Sequence, residues 1–200
     1  MTSLPVRDAK NDHLLTPHNT AFIFIDIQPI QVTSVASMDR RALVENMVNV
    51  AKTAAMFRAP VILSTVNASS GQPSIPQLTE VLAGVPSYDR TTLNAWEDRE
   101  FLAAVKATGR TKLVFTALWT EVCLAFPVLD AIRDGYTAYP VVDACGSTSL
   151  AAHRAGLHRM TQAGAIPISW TSLLCELQRD WGRKETVEDF ARVLFTAEGH

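Results

Sequence analysis

The segment Lys112-Leu-Val-Phe-Thr-Ala-Leu-Trp-Thr-Glu-Val-Cys-Leu-Ala-Phe126 changes period halfway along. Leu113 to Leu118 is an apolar run rich in strand formers. After Trp119-Thr120 the spacing turns helical, with Val122, Ala125, Phe126, Leu129 and Ile132 on one side. A strand feeding straight into a helix brings whatever follows the turn to the mouth of a sheet. Thr120 is the expected N-cap, which puts Cys123 in the helix's first turn. Free amides and the positive end of the helix dipole there favour a thiolate, so Cys123 is a candidate nucleophile.

The flanking sequence repeats this strand-then-helix pattern. Residues 21–26 are a continuous apolar run stopped by Asp26, as in a strand buried on both faces of a parallel sheet. Further strands are expected at 60–65, 87–91, 136–142 and 165–170, and helices at 40–57, 77–82, 147–164, 171–181 and 184–197. Asn94 with Glu97 three residues on reads as a capping box opening a helix to about residue 108, closed by Gly109. The alternation predicts an α/β domain with a parallel sheet and helices on both faces. Residues 1–200 read as one domain, with an N-terminal arm over 1–19 and closing helices over 171–200. Two prolines resist this reading. Pro127 lies inside the helix after Cys123, where a bend is expected, and Pro140 removes a ladder bond from an apparently interior strand. Pro167 suits an edge strand.

Composition excludes several classes. The 200 residues are 48% hydrophobic and 19% charged with a net charge of −2, so no basic surface points to nucleic acid or acidic lipid. No apolar run reaches the ~20 residues a membrane span needs. Residues 1–12 are polar and carry both charge signs, unlike a signal peptide. Cys123, Cys145 and Cys175 have no metal-type spacing and read as reduced thiols of a cytoplasmic protein.

Ligands bind beyond the carboxyl ends of parallel strands, where strand order reverses. Asp26 and Cys123 both sit there if their strands are neighbours, and a carboxylate beside a thiol can take its proton. The same residues could be a helix cap and an inert core thiol. Gln28, Trp96 and Trp119 lie on loops around the crevice and are candidate pocket walls, against a plainer reading as packing and loop-bonding residues. Asp143 and Cys145 are expected at the rim and Cys175 in the core. His153 and His158, five apart on a helix, read as surface or packing residues.

Phe-Ile-Asp26-Ile-Gln28, Thr92-Leu-Asn94-Ala-Trp96-Glu-Asp, Val105-Lys-Ala-Thr-Gly and Leu118-Trp-Thr-Glu-Val-Cys123 together resemble the isochorismatase-like cysteine hydrolases, in particular their YcaC-like branch. The similarity runs from about residue 18 to beyond 180. It implies a three-layer Rossmann-like fold with a six-stranded parallel sheet in order 3-2-1-4-5-6. It implies a catalytic Asp, Lys and Cys, of which Asp26 and Cys123 match directly. The lysine position falls on Arg90, a departure from the family pattern, because arginine holds a thiolate or oxyanion but does not shuttle a proton. Lys112 is no substitute, since it stands roughly 20 Å from Cys123 at the start of the same strand. The resemblance further implies an oxyanion hole from the amides of Cys123 and Trp119 beside a cis Leu118–Trp119 peptide. Related nicotinamidases hold zinc or iron after the second strand, where this chain has Asn67-Ala-Ser-Ser-Gly-Gln, so no metal or other cofactor is expected.

The expectation is a hydrolase of a small amide or related C–N compound, working through a thioester as a homo-oligomer (tetramer or octamer). Two alternatives stand beside it. One is a binding or assembly protein in which Arg90 marks lost catalysis, and the other is a redox-responsive thiol protein.

Overall fold

The structure is a computed structural model that describes residues 7–69 and 71–196, and for Thr196 the backbone only. Its centre is strand β1 (Thr20–Ile25), every residue of which is buried. Strict alternation sends Phe22 and Phe24 into one apolar layer and Ala21, Ile23 and Ile25 into the other. Around it stand β2 (Val61–Val66), β3 (Ser87–Arg90), β4 (Lys112–Ala117) and β5 (Thr137–Pro140). They form a parallel five-stranded sheet in order β3-β2-β1-β4-β5. The registers Ile25↔Ala117 and Ile25↔Ser64 bring the carboxyl ends of the three central strands level.

One face carries α2 (Arg40–Met56), α3 (Pro76–Val81), α7 (Trp170–Gln178) and α8 (Val187–Thr196), which pack on Phe22, Phe24, Val114 and Leu118. The other carries α4 (Arg99–Ala107), α5 (Ala125–Arg133) and α6 (Leu150–Gln162), which cover Ile23, Leu113, Phe115 and Ala138. A short α1 (Pro29–Ser34) follows β1.

The expected sixth strand is reduced to a single bridge between Val141 and Ile168. Ile166 and Ile168 donate to the carbonyls of Ala138 and Pro140, and Val142 donates to Ile168 O. Pro140 alternates with Val141, whose amide goes to Phe115 O, so its nitrogen faces the 166–168 segment and supplies no proton there. Pro167 turns its nitrogen to the outer edge, between the paired amides of Ile166 and Ile168, so Pro140 is the one that costs the pairing a donor.

Two helix starts also differ from expectation. Asn94 caps only a 3₁₀ turn (Ala95–Glu97) by accepting from Trp96 N, and Asp98 caps α4 by accepting from Phe101 N at 2.9 Å. Thr120 is no cap: the chain enters a π turn (Thr120–Leu124) from Trp119, with no side-chain cap. The π turn also accounts for Pro127. Ala125 begins the α-helical winding by donating to Thr120 O across the π turn, and Pro127, two residues on in the first turn of α5, follows that widened register.

At the opposite end of the sheet the segment before β1 is tied down. Lys112 Nζ donates to the carbonyls of Asp12, His13 and Leu14 at 2.8, 2.6 and 2.9 Å, and Leu15 is fully buried.

Candidate active site

Asp26 follows β1 directly and is held by its amide, which donates to Ser64 O at 3.0 Å. Its φ of +58° lies in the left-handed region, which Asp tolerates better than most side chains. Arg90 ends β3 two strands away and reaches back to Asp26. Its Nη1 and Nη2 donate to the two carboxylate oxygens at 2.7 and 2.8 Å, and both side chains are fully buried. Such a two-point clamp fixes the carboxylate's orientation as well as its charge. Nη2 also lies 3.4 Å from Leu93 O.

Cys123 comes from the π turn after β4. Because β4 pairs directly with β1, its thiol is brought beside the same carboxylate, whose negative charge acts on it. The expectation of a favoured thiolate is overturned in this resting arrangement. Burial first, then the charge of Asp26, push the Cys123 thiol up to about 12, while Arg90 and the Trp119 amide pull it down less strongly. A thiol beside a carboxylate in a dry place keeps its proton until something changes the balance. The Leu118–Trp119 peptide, four residues before the sulfur, is cis.

The other candidates are placed as follows. Trp119 is half-buried and its indole donates to Ser34 Oγ at 2.8 Å. Gln28 bonds Val66 through both N–H and C=O, at 2.9 and 3.2 Å, and Gln72 O at 2.6 Å, which secures the loop after β2. Trp96 donates to Asp134 Oδ2 at 2.8 Å and packs edge-on against Phe101 and Tyr136. Asp143 accepts from Trp170 N at 2.9 Å, and burial raises its carboxyl above the usual range. Cys145 is buried and donates to Val142 O, whereas Cys175 is exposed on α7 rather than in the core. Among the described residues no group of three or more His, Cys, Asp or Glu side chains is arranged to hold a metal ion.

Of the two histidines read as surface or packing residues, His153 is the packed one, and its bond to Thr120 was not foreseen. It is buried on α6 and shares a 2.9 Å hydrogen bond with Thr120 Oγ1, three residues before Cys123. Its partner lies 33 positions away, so no local pattern marks it. His158 is exposed, as expected.

Comparison with known proteins agrees with this geometry. Residues 20–172 match the model of the isochorismatase domain. The probable hydrolase YcaC of Escherichia coli K12 is 33% identical over 183 residues, covering 90% of this chain and 85% of that one. The structure of YcaC from Pseudomonas aeruginosa with hexane-2,5-diol and covalent acrylamide superposes with a TM-score of 0.83 at 31% identity, covering 94% of this chain and 98% of that one. The E. coli YcaC structure, described as an octameric hydrolase of unknown specificity, gives 0.83 at 29% identity over 95% and 98%. On these matches the chain belongs to the isochorismatase family of hydrolases.

Proposed function

We propose that this hydrolase cleaves a small, uncharged amide or related C–N compound through a thioester on Cys123. One observation carries the reading: the paired strands β1 and β4 bring the Cys123 thiol beside the buried Asp26 carboxylate, which Arg90 grips through two short bonds. Substrate binding between sulfur and carboxylate lets Asp26 take the thiol proton while the sulfur adds to the carbonyl carbon. The carbonyl electrons move to oxygen, where the amides of Trp119 and Cys123 receive the charge. Collapse of the adduct breaks the C–N bond, and Asp26 returns its proton to the departing amine. Water, losing a proton to Asp26, then hydrolyses the thioester and frees the thiol.

Arg90 has a fixed positive charge in this scheme and moves no proton. Because its charge and that of Asp26 cancel, a substrate carboxylate or ammonium entering the site would lose its hydration for no net partner. The covalent acrylamide of P. aeruginosa YcaC is an uncharged amide and supports this choice. Trp119 lies at the reacting atoms. Gln28 and Trp96 shape the walls by fixing the loop after β2 and the turn after Arg90. The raised Cys123 thiol favours hydrolysis over the redox reading, since sensor thiols are exposed and readily ionised. No step draws on a metal, in keeping with the absence of a ligand cluster among the described residues.

The test is a screen of small amides with intact-mass detection of an acyl group on Cys123, run beside Cys123→Ala. Turnover and adduct that vanish in the variant are expected. Turnover that survives it, or none in either protein, overturns the proposal. We place the active form in a homo-oligomer, supported by the octameric E. coli relative and by Trp181 and Phe195, which are 61% and 57% exposed and stacked on each other. Light scattering of the purified chain at monomer mass would refute this.

A further inference from the structure

The sulfur of Cys123 must be held to within a fraction of an ångström for the chemistry above. Its π turn is bonded internally from Leu124 N to Trp119 O at 3.1 Å and from Ala125 N to Thr120 O. Further fixed points come from outside. The Thr120 amide donates to Gly146 O at 3.0 Å, and Glu121 Oε2 accepts from Ser147 Oγ at 2.5 Å. On the other side α6 presses against the turn. A Cβ at Gly156 would stand 2.9 Å from Glu121 Cα and 3.0 Å from its amide nitrogen. One helical turn earlier, His153 Nδ1 meets Thr120 Oγ1.

We propose that His153 is a positioning residue for the hydrolase, fixing the nucleophile's turn through its hydrogen bond to Thr120. The inference rests on the reading of Cys123 as nucleophile. Of the three outside bonds to the turn, this is the one made by the side chain of a packed helix, and it is buried on both sides. Losing it frees the Thr120 end of the turn to rotate by the small amount that spoils attack, without emptying the site of any group that touches substrate.

The probe is acrylamide. Its terminal alkene carbon forms a bond to the Cys123 sulfur, the alkene pair shifts to the neighbouring carbon, and that carbon takes up the proton the thiol gives to Asp26. Rates are followed at Cys123 by peptide mass mapping over a range of acrylamide concentrations, with exposed Cys175 as internal reference. His153→Leu and Thr120→Val should lower the limiting rate roughly 10- to 100-fold and leave the half-saturating concentration unchanged. His153→Asn, which places a polar atom where Nδ1 stands, and Thr120→Ser should recover most of it. Thermal melts establish that each variant is folded, and the two sites provide independent loss-and-rescue pairs.

Unchanged rates in His153→Leu and Thr120→Val, or losses that neither Asn nor Ser repairs, overturn the positioning role while wild-type labelling leaves the nucleophile reading intact. Wild-type Cys123 labelled no faster than Cys175 sinks the nucleophile reading, and this inference with it.

Discussion

Arg90 from the end of β3 and Cys123 from the turn after β4 converge on the Asp26 carboxylate, and the energetics there are asymmetric. Arg90 and Asp26 are both fully buried and paired through Nη1 and Nη2, while Arg90 Nε is buried without a hydrogen-bond partner among the described residues. Removing one leaves the other charge without water or partner, which costs far more than the pair contributes. Arg90→Met should therefore lower stability by about 3–5 kcal/mol in denaturant titration and abolish turnover. Arg90→Lys restores the charge without the two-point grip and should keep measurable activity. The sulfur gives a pH signature. Because the Cys123 thiol is pushed up to about 12, its reactive thiolate is scarce at neutral pH and grows with alkalinity. Thiolate absorbance of the free protein, taken as the difference from Cys123→Ala, should stay near zero through neutral pH and rise only in strong alkali. A plateau below pH 9 would show a depressed thiol instead. Asp26 and Cys123 were legible because strand ends and strand–helix turns can be located from apolar runs. Arg90 came only from resemblance, and its grip on Asp26 spans 64 positions that no local pattern connects.

At the level of elements, prolines explain both what formed and what did not. Pro127 lies in the first turn of α5 because the π turn ends at Leu124. Pro127→Ala should thus change stability by less than about 1 kcal/mol, against the ~3 kcal/mol expected for a helix-interior proline. A gain of 2 kcal/mol or more in the melting analysis would mean that the helix runs unbroken through Cys123. The apolar spacing of 122–132 suits a helix in either case and cannot reveal one extra residue in a turn. Pro140 marks the other limit. The sequence flagged it as awkward in an interior strand, and the structure resolves the difficulty by leaving its nitrogen on the side where the last segment pairs at a single bridge.

For the molecule as a whole, the layers were readable because a parallel sheet needs a helix between strands and apolar periodicity shows both, whereas the strand order came only from the family resemblance. The anchoring of the segment before β1 was not readable, since it depends on one buried lysine 98 to 100 positions away from its acceptors. Lys112→Met should free those carbonyls and lower stability by about 2 kcal/mol. Turnover at saturating substrate should stay unchanged, because Lys112 starts the strand whose far end leads to Cys123. Lost activity with retained stability would link that end of the sheet to the site. No helix of the described residues is long and apolar enough to cross a membrane.

The mutual cancellation of Asp26 and Arg90 has a practical side for medicinal and probe chemists. Reagents meant to tag this enzyme in a mixture should be compact and electrically neutral, with any dye or affinity handle attached after capture. A label carrying a sulfonate or a quaternary ammonium next to its electrophile would be turned away by this buried pair, which offers neither charge a net partner.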